Sequence, residues 1–391
     1  MVARKTQAIA AWLIDGARSA QEPQAVLAEL CGRLVAAGVP LWRVAVFVRT
    51  LHPQVMGRRF LWVEGAGVSV TESPHEVIET AEFRDSPVAW VYSEGRPLRR
   101  RLCDPGGPVD FPLLAELKAE GVTDYLATPL IFTDGAVHAA TWTTRQPQGF
   151  KADEVDAIEA LVPPLTRVAE VRALRRIARN LLDTYVGPHA GARILSGQIR
   201  RGDAETIRAA IWLSDMRGFT TLADTLPPRF LIDLLNRYFD CQVPAILRHG
   251  GEVLKFIGDG LLAIFPLAGA AAPEVCGRAL AAAVEARDAI AALAGAAEGE
   301  IGRVRFGVAL HLGEVLYGNI GGGNRLDFTC IGPAVNLAAR IEALAGRLGR
   351  TVLASGDFAR HCGGDLVSVG AFTLPGFRAA QTIFGRRDES A

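Results

Sequence analysis

The sequence predicts an α+β fold arranged in two domains. The chain has 391 residues, which is more than one typical hydrophobic core encloses and enough for two domains with a connection. In both halves, runs rich in β-branched and aromatic residues alternate with runs of helical spacing, and turn residues separate neighbouring strands. Two adjacent prolines, Pro163 and Pro164, stand between the halves and predict the boundary.

The composition argues against several classes of protein. Half of the residues are apolar, and 42 basic residues balance 42 acidic ones, so we expect neither a nucleic-acid partner nor a disordered acidic tail. No run approaches the roughly 20 apolar residues of a membrane span, and the first residues resemble no signal peptide. Six scattered cysteines indicate reduced thiols rather than a zinc site. These observations predict a soluble, cytoplasmic protein.

The first half begins with two segments of helical spacing, 6–20 and 23–37. Strands are predicted at 41–50, 59–63, 96–102, 124–132 and 137–143. Polar residues at 52–54 and the sequence Thr133-Asp134-Gly135 supply hairpin turns between strands. Helices are predicted at 111–120 and 151–161, the second of them leading towards the other half of the chain.

This order of helices, antiparallel strands and a closing helix over about residues 20–162 resembles the GAF class of small-molecule sensor domains. The resemblance is one of layout, and it implies a regulatory domain that takes an unidentified small-molecule effector. A domain that only dimerises fits the pattern equally well, because a fold layout does not establish a ligand. We therefore assign residues 1–162 to a GAF-like regulatory or dimerisation domain.

A helical linker is predicted from residue 163 to residue 205. Apolar residues recur there at intervals of three and four, from Leu165 and Val168 to Leu181. So narrow a stripe suits a seam between two copies of the chain, or a helix that lies on its own domain. Gly187 and Pro188 end this helix.

The second domain, 206–391, predicts antiparallel hairpins with helices covering one side, an α+β sandwich of the ferredoxin-like kind. Strands are predicted at 207–215, 252–257, 261–265, 304–311, 314–318, 326–331, 351–354, 367–369 and 380–384. Helices are predicted at 228–248, 272–293 and 334–345.

Two aspartates stand at strand ends in this domain. Asp215 closes the apolar run Ile211-Trp212-Leu213, and Asp259 lies between two further apolar runs. Carboxylates on neighbouring strands suit a pair of magnesium ions that complete their shells with phosphate oxygens and water. Either aspartate alone is typical of a turn, but the two contexts together indicate phosphoryl chemistry.

Several ordered motifs extend this pattern: SDMRGFTTLAD, LNRYFD, GGEVLKFIGDGLLAIFP and GVALHLGEVLYGNIGGGNRLDFTCIGPAVNLAARIE. In order and spacing they resemble the class III nucleotidyl cyclases over about residues 205–386. The resemblance implies a head-to-tail homodimer with active sites at the interface. Two Mg2+ or Mn2+ ions per site would be held by Asp215 and Asp259, and the backbone amides of Gly218, Phe219 and Thr220 would hold phosphate oxygens.

The resemblance also implies which residues contact the base, the ribose and the transferring phosphorus. Lys255 occupies the position that chooses the purine, where a lysine can donate to adenine N1 and thus predicts ATP. Thr329 is its partner, although its hydroxyl alone could serve either purine. Asn336 and Arg340, four residues apart on one helix face, would orient the ribose and stabilise charge on the transferring phosphorus.

One position departs from the family. A basic residue usually precedes the glycine of the terminal hairpin and contacts the triphosphate, but this chain has Pro375 there. Arg378 could take over, or the contact is missing. The sequence therefore predicts an adenylate cyclase that forms 3',5'-cyclic AMP and pyrophosphate from ATP. A guanylate cyclase, or a catalytically impaired module for ligand sensing and dimerisation, is the alternative.

Overall fold

The computed structural model describes residues 2–50, 55–296, 304–323 and 325–389. Its chain divides into two compact units, Met1–Leu181 and Leu182–Ala391. The first contains a six-stranded sheet in the order β3-β2-β1-β6-β5-β4, and the second an eight-stranded sheet. Both units combine helices with mainly antiparallel strands, which confirms the α+β class.

The first unit begins with two helices and ends in a long one. Its helices are α1 (Val2–Ile14), α2 (Pro23–Ala37), α3 (Ala81–Arg84), α4 (Pro87–Glu94), α5 (Pro112–Ala119) and α6 (Ala152–Val186). Its strands are β1 (Arg43–Arg49), β2 (Gly57–Val63), β3 (Gly67–Ser73), β4 (Leu98–Arg101), β5 (Asp124–Ile131) and β6 (Val137–Thr144). Helices α1, α2 and α6 share one apolar core with the sheet, and α4 and α5 share another.

The predicted strands of this unit are confirmed, and β5 and β6 pair antiparallel through the expected turn at 133–135. The sequence did not predict β3 or α4. Strand β3 is mostly exposed and lacks the apolar alternation of a half-buried strand. The predicted turn at 52–54 lies outside the described residues.

The prediction that Pro163 and Pro164 interrupt the helix is wrong. Helix α6 continues through both prolines from Ala152 to Val186. Each proline costs about 3 kcal/mol inside a helix. Burial of an apolar side chain contributes about 1.5–3 kcal/mol, and Ile158, Leu161 and Leu165 are buried on both sides of the prolines. Packing therefore keeps the helix continuous where local propensity would end it.

The apolar stripe of α6 has two parts. Leu165 and Val168 are buried in the core of the first unit, whereas Val171, Leu174 and Leu181 are exposed. The part with Leu165 and Val168 thus packs on its own unit, which was one of the two interpretations of the stripe. The seam between two copies remains a prediction for the second part.

The second unit opens with a short helix, and α6 ends before Gly187 as predicted. Its helices are α7 (Pro188–Leu195), α8 (Phe219–Thr225), α9 (Pro228–Arg248), α10 (Ala272–Ala296), α11 (Pro333–Leu348) and α12 (Gly356–Ala359). Its strands are β7 (Ala204–Met216), β8 (Glu252–Ile257), β9 (Gly260–Pro266), β10 (Phe306–Gly322), β11 (Arg325–Ile331), β12 (Val352–Ser355), β13 (Leu366–Phe372) and β14 (Gln381–Arg386).

Helices cover both faces of this sheet, which corrects the expectation that they cover one side. Strand β7 is apolar on both faces: Ala210 and Trp212 pack in one core with α9 and α10, and Ala209 and Ile211 pack in another with α7 and α11. A strand buried on both sides needs cover on both sides. Strands run in the order β13-β14-β12-β10-β7-β9-β8, and β11 pairs with β10.

Strand β10 is continuous where the sequence predicted two strands separated at Gly313. A Cβ added at Gly313 would lie 2.6 Å from the Cβ of Ala334 and 2.8 Å from Nε2 of His311. The glycine therefore allows α11 to approach the sheet closely and does not form a turn. Among the described residues, no helix is long and apolar enough to cross a membrane.

Candidate active site

Sheet pairing brings the two predicted metal-binding aspartates together. Asp215 lies near the end of β7, and Asp259 lies in the turn between β8 and β9. Strands β7 and β9 are neighbours, with Ser214 opposite Leu261. A Cβ added at Gly260 would lie 3.3 Å from Oδ1 of Asp215 and 2.9 Å from the carbonyl oxygen of Ser214. Glycine at this position thus lets the two acidic turns meet.

The electrostatics of this pair favour a cation. Burial, the charge of Asp259 and a hydrogen bond with Asp259 raise the pKa of Asp215 to about 7. Two carboxylates this close resist simultaneous ionisation, and a divalent cation between them removes that cost. This donor set fits a divalent metal ion such as Mg2+.

The described residues contain no group of three or more His, Cys, Asp or Glu side chains that could hold a metal ion. Mg2+ is usually bound through one or two carboxylates together with substrate phosphates and water. Asp215 and Asp259 suit this mode of binding, in which phosphate oxygens and water supply the remaining ligands.

The glycine turn follows the first aspartate directly. Gly218 has a φ of 74° and precedes α8, whose first turn contains Phe219 and Thr220. No side chain in the described part of the chain caps this helix, so the amides of its first turn have no described side-chain acceptor. Placing a phosphate against them remains a prediction.

Lys255 and Thr329 lie on strands that contact each other. Lys255 is on β8, and its Nζ is 3.8 Å from Oδ2 of Asp327, which is on β11 with Thr329. Thr329 is buried, and its Oγ1 has no hydrogen-bond partner among the described residues. The next residue, Cys330, packs in an apolar core, as predicted. The Lys255 ammonium group and the unpartnered Thr329 hydroxyl are thus both available beside β11.

Asn336 and Arg340 are both exposed on α11. The side chain of Arg340 makes no ion pair with the described part of the chain, and Glu342, which could have paired with it, instead binds Arg217. No hydrogen bond or ion pair within the described residues joins Asn336 or Arg340 to the aspartates or to Lys255. Both side chains are therefore available to a group outside the chain's own core.

Sequence reasoning missed the ion pair between Arg217 and Glu342. Nη2 of Arg217 lies 2.8 Å from Oε1 of Glu342 and 3.2 Å from its carbonyl oxygen. A Cβ added at Gly307 would lie 1.7 Å from Nη2 of Arg217. The guanidinium thus crosses the backbone of β10 and connects the Asp215 turn with α11. Gly307, a glycine within a strand, indicates a close approach by another group, but nothing in the sequence identifies that group as Arg217.

The terminal hairpin forms as predicted, since β13 and β14 pair antiparallel. Its turn contains buried Leu374 and exposed Pro375, and the amide of Phe377 donates to the carbonyl oxygen of Leu374. Arg378 is exposed in the same loop. Whether Arg378 serves the triphosphate remains a prediction.

Comparison with known families gives a match within the second unit. Residues 204–357 match the family model of the adenylate and guanylate cyclase catalytic domain. This part of the chain is similar to the catalytic domain of the class III adenylate/guanylate cyclases. The match covers the strands and helices that carry all nine predicted site residues.

Individual relatives agree with this assignment. An adenylate cyclase of Anabaena cylindrica is 30% identical over a region that covers 54% of this chain and 43% of the relative. Adenylate cyclase 1 of Rhizobium meliloti is 31% identical over 38% of this chain and 22% of the relative. The chain thus spans less than half the length of these curated relatives.

A solved structure shares the fold. The structure of a bacterial light-regulated adenylyl cyclase aligns with a TM-score of 0.50 at 20% identity, over 66% of this chain and 84% of that one. At this identity the likeness concerns the fold alone.

Proposed function

We propose that the chain is an adenylate cyclase that converts ATP to 3',5'-cyclic AMP and pyrophosphate. The observation that carries the proposal is the coincidence of two groups in one cyclase domain: the adjoining carboxylates of Asp215 and Asp259, and a lysine on β8, the strand that leads into Asp259. The names of the two curated relatives support the adenylate assignment.

Each residue has a separate task in this reaction. Divalent cations held by Asp215 and Asp259, Mg2+ or Mn2+ and two per site, would neutralise the triphosphate and lower the pKa of the ribose 3'-hydroxyl. The amides of Gly218, Phe219 and Thr220 receive phosphate oxygens. Asn336 orients the ribose so that its 3'-oxygen faces the α-phosphorus in line with the departing pyrophosphate. Arg340 stabilises the charge that develops on the transferring group.

Adenine selection rests on Lys255 and Thr329. The ammonium group donates to adenine N1, and the Thr329 hydroxyl accepts from the 6-amino group. Guanine presents an N1–H donor to the same ammonium group, and two donors facing each other are unfavourable. Asp327 lies 3.8 Å from the Lys255 ammonium group, and both side chains are exposed, so this contact contributes little to the position of the lysine.

A homodimer with shared sites explains the exposure of Asn336 and Arg340. Polar groups that serve a substrate at an interface must remain accessible on the single chain, and both residues are exposed on one face of α11. The two halves of each site would then come from two copies, with the aspartates from one and α11 from the other.

The first unit would regulate this activity as a GAF-like domain. Helix α6 supports the idea, because it begins in the first unit and ends at the start of the second without a break. In this proposal the chain acts in the cytoplasm, where ATP is available.

Product analysis with purified protein tests the adenylate assignment. With Mg2+ or Mn2+, we expect 3',5'-cyclic AMP and pyrophosphate from ATP, at a higher kcat/KM than for GTP. Lys255→Gln should lower kcat/KM for ATP by roughly 10–100-fold, the range for loss of a charged hydrogen bond. Asp327→Asn, the matched control, removes only the acidic neighbour and should retain the preference for ATP. Faster cyclisation of GTP by the unaltered protein would sink the assignment.

Pro375 favours a second candidate, a catalytically impaired ligand-sensing module. Without the usual basic residue the triphosphate could bind too weakly for turnover. The same assay distinguishes an active cyclase from an impaired module. If the chain is impaired, Pro375→Lys should create activity that the natural chain lacks.

A further inference from the structure

A large cleft in the first unit has no part in the proposed reaction. Its volume is about 1090 Å³, and it lies between α6, the α1–α2 region and the face of β1, β2 and β3. Small-molecule sites are typically about 300–1,000 Å³ and mostly apolar. The cleft is therefore large enough for a metabolite-sized ligand with room for water.

The charge of the lining is one-sided. Among the described residues, eight arginines border the cleft, against two acidic residues, Asp15 and Glu22. Two of the eight, Arg18 and Arg167, are already paired with Asp15 and Glu170. Over the whole chain basic and acidic residues are equal in number, so this accumulation is a local feature. Arginine presents a planar fork of donors that matches carboxylate and phosphate oxygens.

Four of these arginines share one face of α6. Arg172, Arg175, Arg176 and Arg179 follow the spacing of a single helical face. Arg172 donates to the backbone carbonyl oxygens of Ala20 and Gln21. The side chains of the other three have no hydrogen bond or ion pair with any part of the chain that the structure describes.

The free arginines also crowd one another. Burial and the positive charges of Arg58 and Arg179 lower the pKa of Arg176, and Glu72 and Glu22 offset this only in part. Arg58 already forms an ion pair with Glu72. An anion among these groups would relieve the repulsion.

The other wall of the cleft is apolar. Val46 and Phe60 from the sheet face Leu165 and Val168 on α6, one to two turns before the arginines. The lining thus changes along α6 from apolar to basic. Thr50, also in the lining, has a buried Oγ1 without a hydrogen-bond partner in the described residues.

We propose that this cleft binds an amphipathic organic anion, a carboxylate or phosphate ester with an apolar body. The anionic head lies among Arg175, Arg176 and Arg179, and the apolar body lies against Val46, Phe60 and Val168. A second copy of the chain fits this cleft less well, because a twofold pairing through its basic lining would bring the arginines of two copies towards each other. A seam along exposed Leu174 and Leu181, which do not line the cleft, is a separate prediction.

Calorimetric titration of the full chain tests the proposal with four ten-carbon probes below their micelle concentrations. Decanoate and decyl phosphate carry the two candidate heads, and decanol and decyltrimethylammonium keep the tail without the negative charge. We expect saturable binding of one or both anions, with at least ~10-fold weaker binding of the alcohol and the cation. The two anions compared with each other identify the preferred head.

Matched variants locate the site. Arg176→Gln with Arg179→Gln should weaken anion binding at least ~10-fold, whereas Arg84→Gln, an exposed arginine that does not border the cleft, should not. Val70→Glu places a carboxylate on the cleft wall at a side chain that is 43% exposed, and it should abolish binding while Val70→Ala retains it.

Three results would overturn the proposal: equal binding of decanol and decanoate, unchanged binding by the double arginine variant, or equal losses in Arg84→Gln. Sedimentation adds a fourth. If no anion binds and Val70→Glu dissociates a dimer, the cleft is an interface between copies. None of these readouts uses nucleotide turnover, so a failure here leaves the catalytic proposal untouched.

Discussion

At the residue scale, our proposal is that the Thr329 hydroxyl lowers the stability of the fold and contributes to ATP binding. Its buried hydroxyl has no partner in the described chain, and an unsatisfied buried polar group costs about 1–3 kcal/mol. We expect Thr329→Val, which keeps the shape, to leave the free energy of unfolding unchanged or raise it by about 1 kcal/mol. The same change should raise KM for ATP several-fold, measured together with denaturant unfolding.

Thr166→Val is the matched control for that substitution. Thr166 is also buried, but its Oγ1 donates to the carbonyl oxygen of Val162 at 2.7 Å. Its replacement should lower the free energy of unfolding by about 1 kcal/mol and leave KM unchanged. If Thr329→Val lowered the free energy of unfolding as much as Thr166→Val and left KM unaltered, the Thr329 hydroxyl would have a structural role only.

Arg217 and Glu342 form the second residue-scale test. The side chain of Glu342 is 10% exposed, and that of Arg217 is 25% exposed. Removing one partner of a buried pair costs about 3–5 kcal/mol, and partial exposure of Arg217 reduces this. We expect Arg217→Gln to lower the free energy of unfolding by about 1–3 kcal/mol, with Glu342→Gln added to it restoring part of the loss.

Chemical denaturation of the two single variants and the double variant measures this coupling. Arg347→Gln, an exposed arginine on the same helix, should change the free energy of unfolding by less than about 1 kcal/mol. Additive effects of the two single substitutions would show that the 2.8 Å contact contributes nothing to stability.

At the element scale, the position of α11 depends on Gly313. An added Cβ would come within 3 Å of Ala334 in the first turn of α11, so the helix must shift. We expect Gly313→Ala to lower the free energy of unfolding by about 1–3 kcal/mol and to lower kcat, because Asn336 and Arg340 move with the helix. Thermal unfolding and turnover assays measure the two effects.

Gly322→Ala is the control on the same strand, since no described residue lies within 4 Å of a Cβ added there. Adding Ala334→Gly to Gly313→Ala removes the contacting methyl group and should recover activity in part. A Gly313→Ala protein with natural stability and kcat would contradict the close-packing role of this glycine.

Periodicity and turn chemistry predicted most elements of the second unit, including α9 and β8 with their observed bounds. Local patterns failed where long-range packing decides. Burial carries α6 through two prolines, and the approach of α11 explains Gly313. Likewise, motif order singled out Asp215, Asp259 and Lys255 as candidates, but the contact of Arg217 with Glu342 joins residues 125 positions apart and has no local signature.

At the scale of the whole molecule, our proposal requires two copies of the chain to complete each site. Asp215 and Asp259 lie close together where β7 ends and β9 begins, whereas Asn336 and Arg340 are exposed on α11 without a hydrogen bond or ion pair to them among the described residues. A chain with one damaged half should therefore still supply the other half to a partner.

Mixing two inactive variants tests this central claim directly. Asp215→Ala and Arg340→Ala should each be almost inactive alone, and an equal mixture with demonstrated subunit exchange should recover about a quarter of the natural activity. Half of the dimers are then mixed, and one of their two sites is intact. Asp215→Ala mixed with Asp259→Ala damages the same half in both chains and should recover nothing. Exchange without recovery in the first mixture, or equal recovery in both, would contradict a cyclase site built from two chains.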